Sequence, residues 1–222
     1  MSKHTCEICI LSKMDKNPYP TSHTRATRPM GIIHIDMSGK MKVPSLNGSL
    51  YFQGILDDYS KYSIVTFHKT KSAVAGATIT ELERYEVLTQ NKIGTIFADN
   101  GSEYICTRFK NWCKQKGITL NFTVPGNPST NGAAERLNRT LHDRSTALLL
   151  SSKFPNRYWA EMVKNASILR NLSPTSDSDK TPYELFHGVK PKIDHLRTIG
   201  CSICTCPTQI QGFQILTVSQ DH

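Results

Sequence analysis

The sequence predicts an α/β fold in which a five-stranded mixed sheet is flanked by helices. Three observations predict it. Residues 31–70 hold three short apolar runs separated by turn formers. From residue 71 the apolar spacing changes to that of a helix, and thereafter short buried runs alternate with helical stretches. Finally, two of the apolar runs end on an aspartate, Asp36 in GIIHIDMSG and Asp99 in TIFADNGSEY.

In chain order, GIIHIDMSG, SLYFQGILDDYS and KYSIVTFHKT read as three strands. Asn47-Gly48 before the second is a two-residue hairpin signal. Three antiparallel strands joined by short turns make a meander. Asp57 and Asp58, at the end of the second strand, read as turn acids. Ala75, Ile79, Leu82 and Tyr85 recur at helical spacing, with Glu81, Glu83, Arg84 and Glu86 on the other faces. IGTIFA is a short strand closed by Asp99. A helix near 103–116 places Ile105, Phe109, Trp112 and Cys113 on one face and stops at Gly117. ITLNFTV is the fifth strand. VPGNPSTNG is a loop of turn formers, followed by a long helix. A helix over 155–172 starts at Pro155 and buries Trp159, Met162, Val163, Ala166 and Leu169. Thr181-Pro182-Tyr183-Glu184 is a capping box opening a short helix that Gly188 stops. The order βββαβαβα, with acids at strand ends and on a later helix, matches a ribonuclease-H-like fold.

A length of 222 residues supports one sizeable domain plus appendages, and 38% hydrophobic residues supply a core. No run of about 18 apolar residues is present, so no membrane span is expected. MSKHTCEIC lacks the apolar stretch of a secretory signal. Seven cysteines, an odd number, argue for reduced thiols inside a cell rather than a disulfide framework. Cys106 and Cys113 read as core or half-buried thiols. The net charge of +9 favours a polyanionic partner. Cys6 and Cys9 form a CxxC, half of a tetrahedral zinc site. They are either free thiols near the terminus or ligands completed by His4 or His23.

The stretch NPSTNGAAERLNR, at Asn127–Arg139, carries Glu135 near the start of the long helix, with thirty-five residues between Asp99 and Glu135. These motifs and this spacing, with KTPYELFHGVKP and HLRTIGC downstream, resemble the DDE catalytic core of retroviral and retrotransposon integrases. The wording is similar to the copia-type retrotransposon branch, over roughly residues 6–201, as a fragment of a Pol polyprotein. The resemblance implies three segments: 1–25 a remnant of an N-terminal zinc module, incomplete because its histidine pair is missing; 26–190 the catalytic core; 191–222 a divergent or degraded tail.

The same resemblance implies a DDE polynucleotidyl transferase that inserts element cDNA into host DNA, joining 3′ ends and possessing an endonucleolytic processing step. Asp36, Asp99 and Glu135 are its catalytic and Mg²⁺ (or Mn²⁺) ligands, with Asp36 bridging two ions; a Zn²⁺ site at Cys6 and Cys9 is incomplete and stays open against free thiols. The chemistry explains the acids. In-line displacement at phosphorus is served by two metal ions about 4 Å apart, and Mg²⁺ takes one or two carboxylates each, so about three carboxylates must converge. Arg136, Arg139 and His142 on the helix, with Asn131 and Gly132 before it, are the implied DNA contacts. At about 100° per residue, Leu137, Leu141 and Leu148 share one face, whereas Glu135, Arg139 and His142 group together on another. Expected partners are double-stranded DNA, both element ends and target, and further copies of the chain, with no membrane. Expected location is the nucleus, after a cytoplasmic particle. Two other functions remain open from sequence: a DNA-binding or oligomerisation module whose catalysis is unused, and a ribonuclease-H-type nuclease acting on RNA–DNA hybrids.

Overall fold

A computed structural model describes residues 25–99, 101–122, 132–175, 178–194 and 196–201. Its strands are β1 (Ile32–Met37), β2 (Tyr51–Asp57), β3 (Ser63–His68), β4 (Thr95–Ala98) and β5 (Thr119–Phe122). They form one sheet in the order β3-β2-β1-β4-β5. β1, β2 and β3 pair antiparallel as the expected meander, while β4 joins β1 and β5 joins β4 in parallel. The helices are α1 (Val74–Thr89), α2 (Ser102–Ile105), α3 (Thr107–Lys116), α4 (Gly132–Ser152), α5 (Trp159–Asn171) and α6 (Pro182–His187).

Helices cover both faces of the sheet, so the inner strand β2 turns neither face to solvent. Six consecutive residues of β2, from Phe52 to Asp57, are buried. On one side Ile33, Ile35, Ile55 and Ile96 pack with Val74, Leu82, Tyr104, Phe109 and Trp112. On the other, Phe52 and Leu56 pack with Leu137 and Leu141 of α4 and Trp159, Val163 and Ala166 of α5. Burial at this scale is worth about 1.5–3 kcal/mol per large aliphatic side chain. Gln53 is the polar exception inside the first layer. Its amide donates to Tyr104 Oη at 2.8 Å and its carbonyl accepts from Thr66 and Thr78 at 3.0 Å each, which satisfies a group that would otherwise be costly to bury.

Several local signals act as read. Gly48 takes φ +77° and its N–H donates to Ser45 O, so a turn does form here, but it is centred on Leu46 and Asn47, one residue earlier than the two-residue signal places it. Gly117 ends α3 at φ +71°. Thr181 Oγ1 accepts from the Glu184 N–H at 3.1 Å and Pro182 opens α6. α6 is held by Tyr62, whose ring stacks on Phe186 at 4.4 Å. Asp57 and Asp58 are indeed turn acids, but they also anchor the segment before β1. Asp57 accepts from the N–H groups of Met30 and Ser60; Asp58 accepts from Ala26 and pairs with Lys61.

Three readings need correction. The helix near 103–116 is broken at Cys106, whose extended backbone (ψ 146°) separates α2 from α3. The break turns Ile105 outward, 40% exposed, and Tyr104 rather than Ile105 fills the core. The helix expected from 155 begins with a 3₁₀ turn at Asn156–Tyr158 and becomes α-helical at Trp159. Leu169, expected in its buried stripe, is 37% exposed. Cys113 is buried and Cys106 half-buried, as read.

Candidate active site

The parallel pairing of β1 and β4 places Asp36 and Asp99 together. Ile35 is in register with Ala98, so each aspartate is the next residue on neighbouring strands at the same edge of the sheet. Adjacent strands lie about 4.8 Å apart, close enough for the two carboxylates to act on one another. Asp99 also accepts from the Gly101 N–H at 3.1 Å.

α4 brings the third acid. Leu137 and Leu141 are buried against β2, and this fixes the rotation of the helix. Its neighbour Asn138 is then directed at β1, and Asn138 Nδ2 donates to Asp36 Oδ2 at 2.9 Å. Glu135, one turn earlier, stays exposed. The approach of α4 requires Gly54, which sits opposite Asp36 in the β1–β2 ladder. A methyl group there would collide with Asn138 Oδ1 and press on Leu137 Cδ2 at 3.2 Å. Neither Asn138 nor Gly54 stood out in the sequence. The available signal was the i,i+3 spacing from Glu135 to Asn138, which puts both on one side of a helix.

Electrostatics tie the three acids together. The Asp36 carboxyl is raised to about 6: burial contributes most, Asp99 and Glu135 add to the rise, and hydrogen bonds from Asn138 and the Met37 backbone oppose it. Mutual repulsion of this kind is what a divalent cation relieves. The donor set, carboxylate oxygens alone, fits a hard ion such as Mg²⁺ rather than a thiophilic one. Among the described residues, however, no three His, Cys, Asp or Glu side chains are already drawn into a ligand cage. Asp36 and Asp99 are set by the sheet, whereas the Glu135 side chain stands in solvent.

Beside the acids, Arg139 and His142 of α4 face Ser38, Gly39, Lys40 and Met41 across a hollow of about 330 Å³ that also touches Asn138. Lys40 joins the cationic residues expected here. Trp159 Nε1 donates to Val43 O at 2.9 Å and steadies that loop against α5. Arg136 is exposed on a different side of α4. Gly132 opens α4; Asn131, Cys6 and Cys9 lie outside the described residues.

Residues 26–128 match the family described as the integrase core domain. The chain carries an integrase core domain. It is 32% identical over 197 residues to the retrovirus-related Pol polyprotein from transposon TNT 1-94 of Nicotiana tabacum, covering 88% of this chain and 15% of that protein. To the corresponding polyprotein from transposon RE1 of Arabidopsis thaliana it is 29% identical over 199 residues, 89% of this chain and 13% of that one. This integrase segment therefore spans about a seventh of the copia-type polyproteins it matches.

Solved structures agree on the fold. The simian T-cell lymphotropic virus intasome in complex with PP2A regulatory subunit B56 gamma matches with a TM-score of 0.62 and 22% identity, over 90% of this chain and 70% of that one. The HTLV-2 integrase catalytic core domain in complex with magnesium, in a trimeric form, matches with a TM-score of 0.55 and 21% identity, over 73% of this chain and all of that one. The ribonuclease-H-like architecture is thus that of retroviral integrase cores. Among the described residues no helix is long and apolar enough to cross a membrane.

Proposed function

We propose that this integrase core joins the 3′ ends of element cDNA to host DNA by divalent-metal-dependent phosphoryl transfer, with Asp36, Asp99 and Glu135 as metal ligands. The observation that carries the reading is the coupling of Asp36 to both other acids at one edge of the sheet. Asp36, oriented by Asn138, would hold metal together with Asp99 and Glu135. When bound, Mg²⁺ or Mn²⁺ supplies an activated attacking oxygen and relief of charge on the leaving oxygen.

The chain's own residues do the rest. Asn138 holds the Asp36 carboxylate in one orientation. Arg139, His142 and Lys40 surround a hollow beside the acids and are placed to hold backbone phosphates. Glu135, exposed on α4, would supply the third carboxylate. Arg136, Asn131 and Gly132 would add DNA contacts at the start of α4. The magnesium complex of the HTLV-2 core supports the metal. Intasome, trimeric and dimeric forms of such cores support action as a multimer. Chromosomal DNA as target places the work in the nucleus. The three-segment division, with a zinc-module remnant at 1–25 and a divergent tail from 191, belongs to the same proposal.

One observation favours a second reading. The carboxylates are not preassembled into a cage, as suits a DNA-binding or oligomerisation module whose catalysis is unused. Strand transfer on an oligonucleotide bearing an element end, with Mg²⁺ or Mn²⁺, separates the two. Joining that disappears in Glu135→Gln supports the enzyme; salt-sensitive DNA binding without joining supports the module.

A further inference from the structure

α4 has a second cationic flank that the acid cluster does not use. Ala133, Arg136, Leu137 and Thr140 form one stripe of the helix. At about 100° per residue this stripe lies roughly opposite that of Glu135, Asn138, Arg139 and His142, with the buried face between them. It borders an open hollow of about 280 Å³ completed by Arg25, Leu56, Lys61, Arg170 and Thr175. Leu56 is in register with His34, two residues along the ladder from the Gly54–Asp36 pair, so the hollow and the acids share the same two strands.

Four cationic side chains from four parts of the chain meet here. Among the described residues the acid bonded to them is Asp58, which Arg25 reaches at 3.3 Å and Lys61 at 2.7 Å. One carboxylate serves two cations, leaving Arg136 and Arg170 to hold the site positive. Arg170 is fixed by donation from Nη1 to Lys61 O. Burial and the nearby Arg144 guanidinium lower its pKa to about 10, the response of a cation short of counter-charge. The Thr140 hydroxyl is committed to Arg136 O at 2.9 Å, so the donors left for a tetrahedral oxyanion are the guanidinium forks and Lys61, with Thr175 at the rim. The volume admits such a group with some of its water, each molecule of which takes about 30 Å³.

We propose that this hollow is a second phosphate site, which holds one backbone phosphate of the duplex DNA engaged at the acid cluster. It rests on the reading of the chain as a DNA-joining core. The two cationic hollows straddle a helix about 10–12 Å across, close to the 12 Å width of a major groove. A single duplex over α4 can therefore place a phosphate in each.

The test is the salt dependence of binding to a fluorescent duplex oligonucleotide by the full chain, for Arg25→Ala, Arg136→Ala and the double variant. Arg25 is 68% exposed and Arg136 exposed, so folding is not at stake; thermal melting verifies this. Counterion release counts phosphates. If both residues share one phosphate, the double variant loses about one unit of log–log slope, no more than the sum expected for a single contact, and Arg136→Lys retains it. A slope unchanged from wild type, or a loss of about two units from independent contacts, overturns the shared site while leaving DNA binding intact. A wild-type chain with no salt-sensitive DNA binding removes the underlying reading and the site with it.

Discussion

Asn138 Nδ2 lies 2.9 Å from Asp36 Oδ2, and it is the side-chain hydrogen bond that favours the charged form of the central carboxylate. Burial and two neighbouring acids all act to protonate Asp36. Removing the donor leaves only the weaker Met37 backbone hydrogen bond to oppose them. We expect Asn138→Ala to move the acid limb of the strand-transfer pH profile upward and to lower the rate by roughly 10- to 100-fold, the usual cost of losing a residue that orients a metal ligand. A pH–rate profile of both proteins checks this; an unshifted acid limb would remove Asn138 from the site.

Gly54→Ala tests the same contact from the sheet side. The added methyl meets Asn138 Oδ1 and Leu137 Cδ2, and neither can retreat without moving α4 from β2. Overpacking of this kind costs about 1–3 kcal/mol. Denaturant unfolding should show that loss, and strand transfer should fall with it because α4 carries Glu135. Full activity and stability would mean that α4 does not sit this close to β2.

The parts of the fold that local pattern controls were legible in the sequence. Apolar runs closed by Asp36 and Asp99 are strands, and Thr181-Pro182 opens a helix, because strand periodicity and caps depend on near neighbours. What could not be read depends on packing between distant segments. Ile105 and Tyr104 are both apolar enough for a core; the extended backbone at Cys106 decides in favour of Tyr104. Asn138 looks like an ordinary helix residue until α4 is laid across Gly54. Arg170 and Arg25 lie far apart in the chain, so no spacing rule joins them. The proposed trio of acids was legible through its resemblance to a family, whereas Asp57, more deeply buried and also at a strand end, is a turn anchor.

Glu135→Gln should separate chemistry from architecture. Glu135 is exposed, so its replacement should leave stability within about 0.5 kcal/mol. The amide keeps shape but loses the charge that a divalent ion requires. We expect strand transfer to fall below detection with unchanged melting and unchanged DNA affinity in EDTA. Residual joining near the wild-type rate would exclude Glu135 as a metal ligand.

Asp36→Asn should stabilise the metal-free protein while abolishing its activity. The folded carboxyl is raised to about 6 from an ordinary value of 3.8. Between roughly pH 4 and 6 the folded chain retains a proton that the unfolded chain has released, so stability falls as pH rises through that window and stays reduced above it. A shift of about two units corresponds to an upper bound of about 3 kcal/mol, smaller in practice because Asp36 is only half-buried. The variant should therefore be more stable than wild type at pH 7 in EDTA, and its stability should be flatter from pH 4 to 7. Below pH 4 both aspartate forms are neutral and the gap should close. Added Mg²⁺ should reverse the order, because only the wild type gains from binding it. Melting temperatures across this pH range, with and without Mg²⁺, check each step. A gap that persists below pH 4, or Mg²⁺ that stabilises the variant equally, would show that the Asp36 charge is not what the site is built to offer a cation.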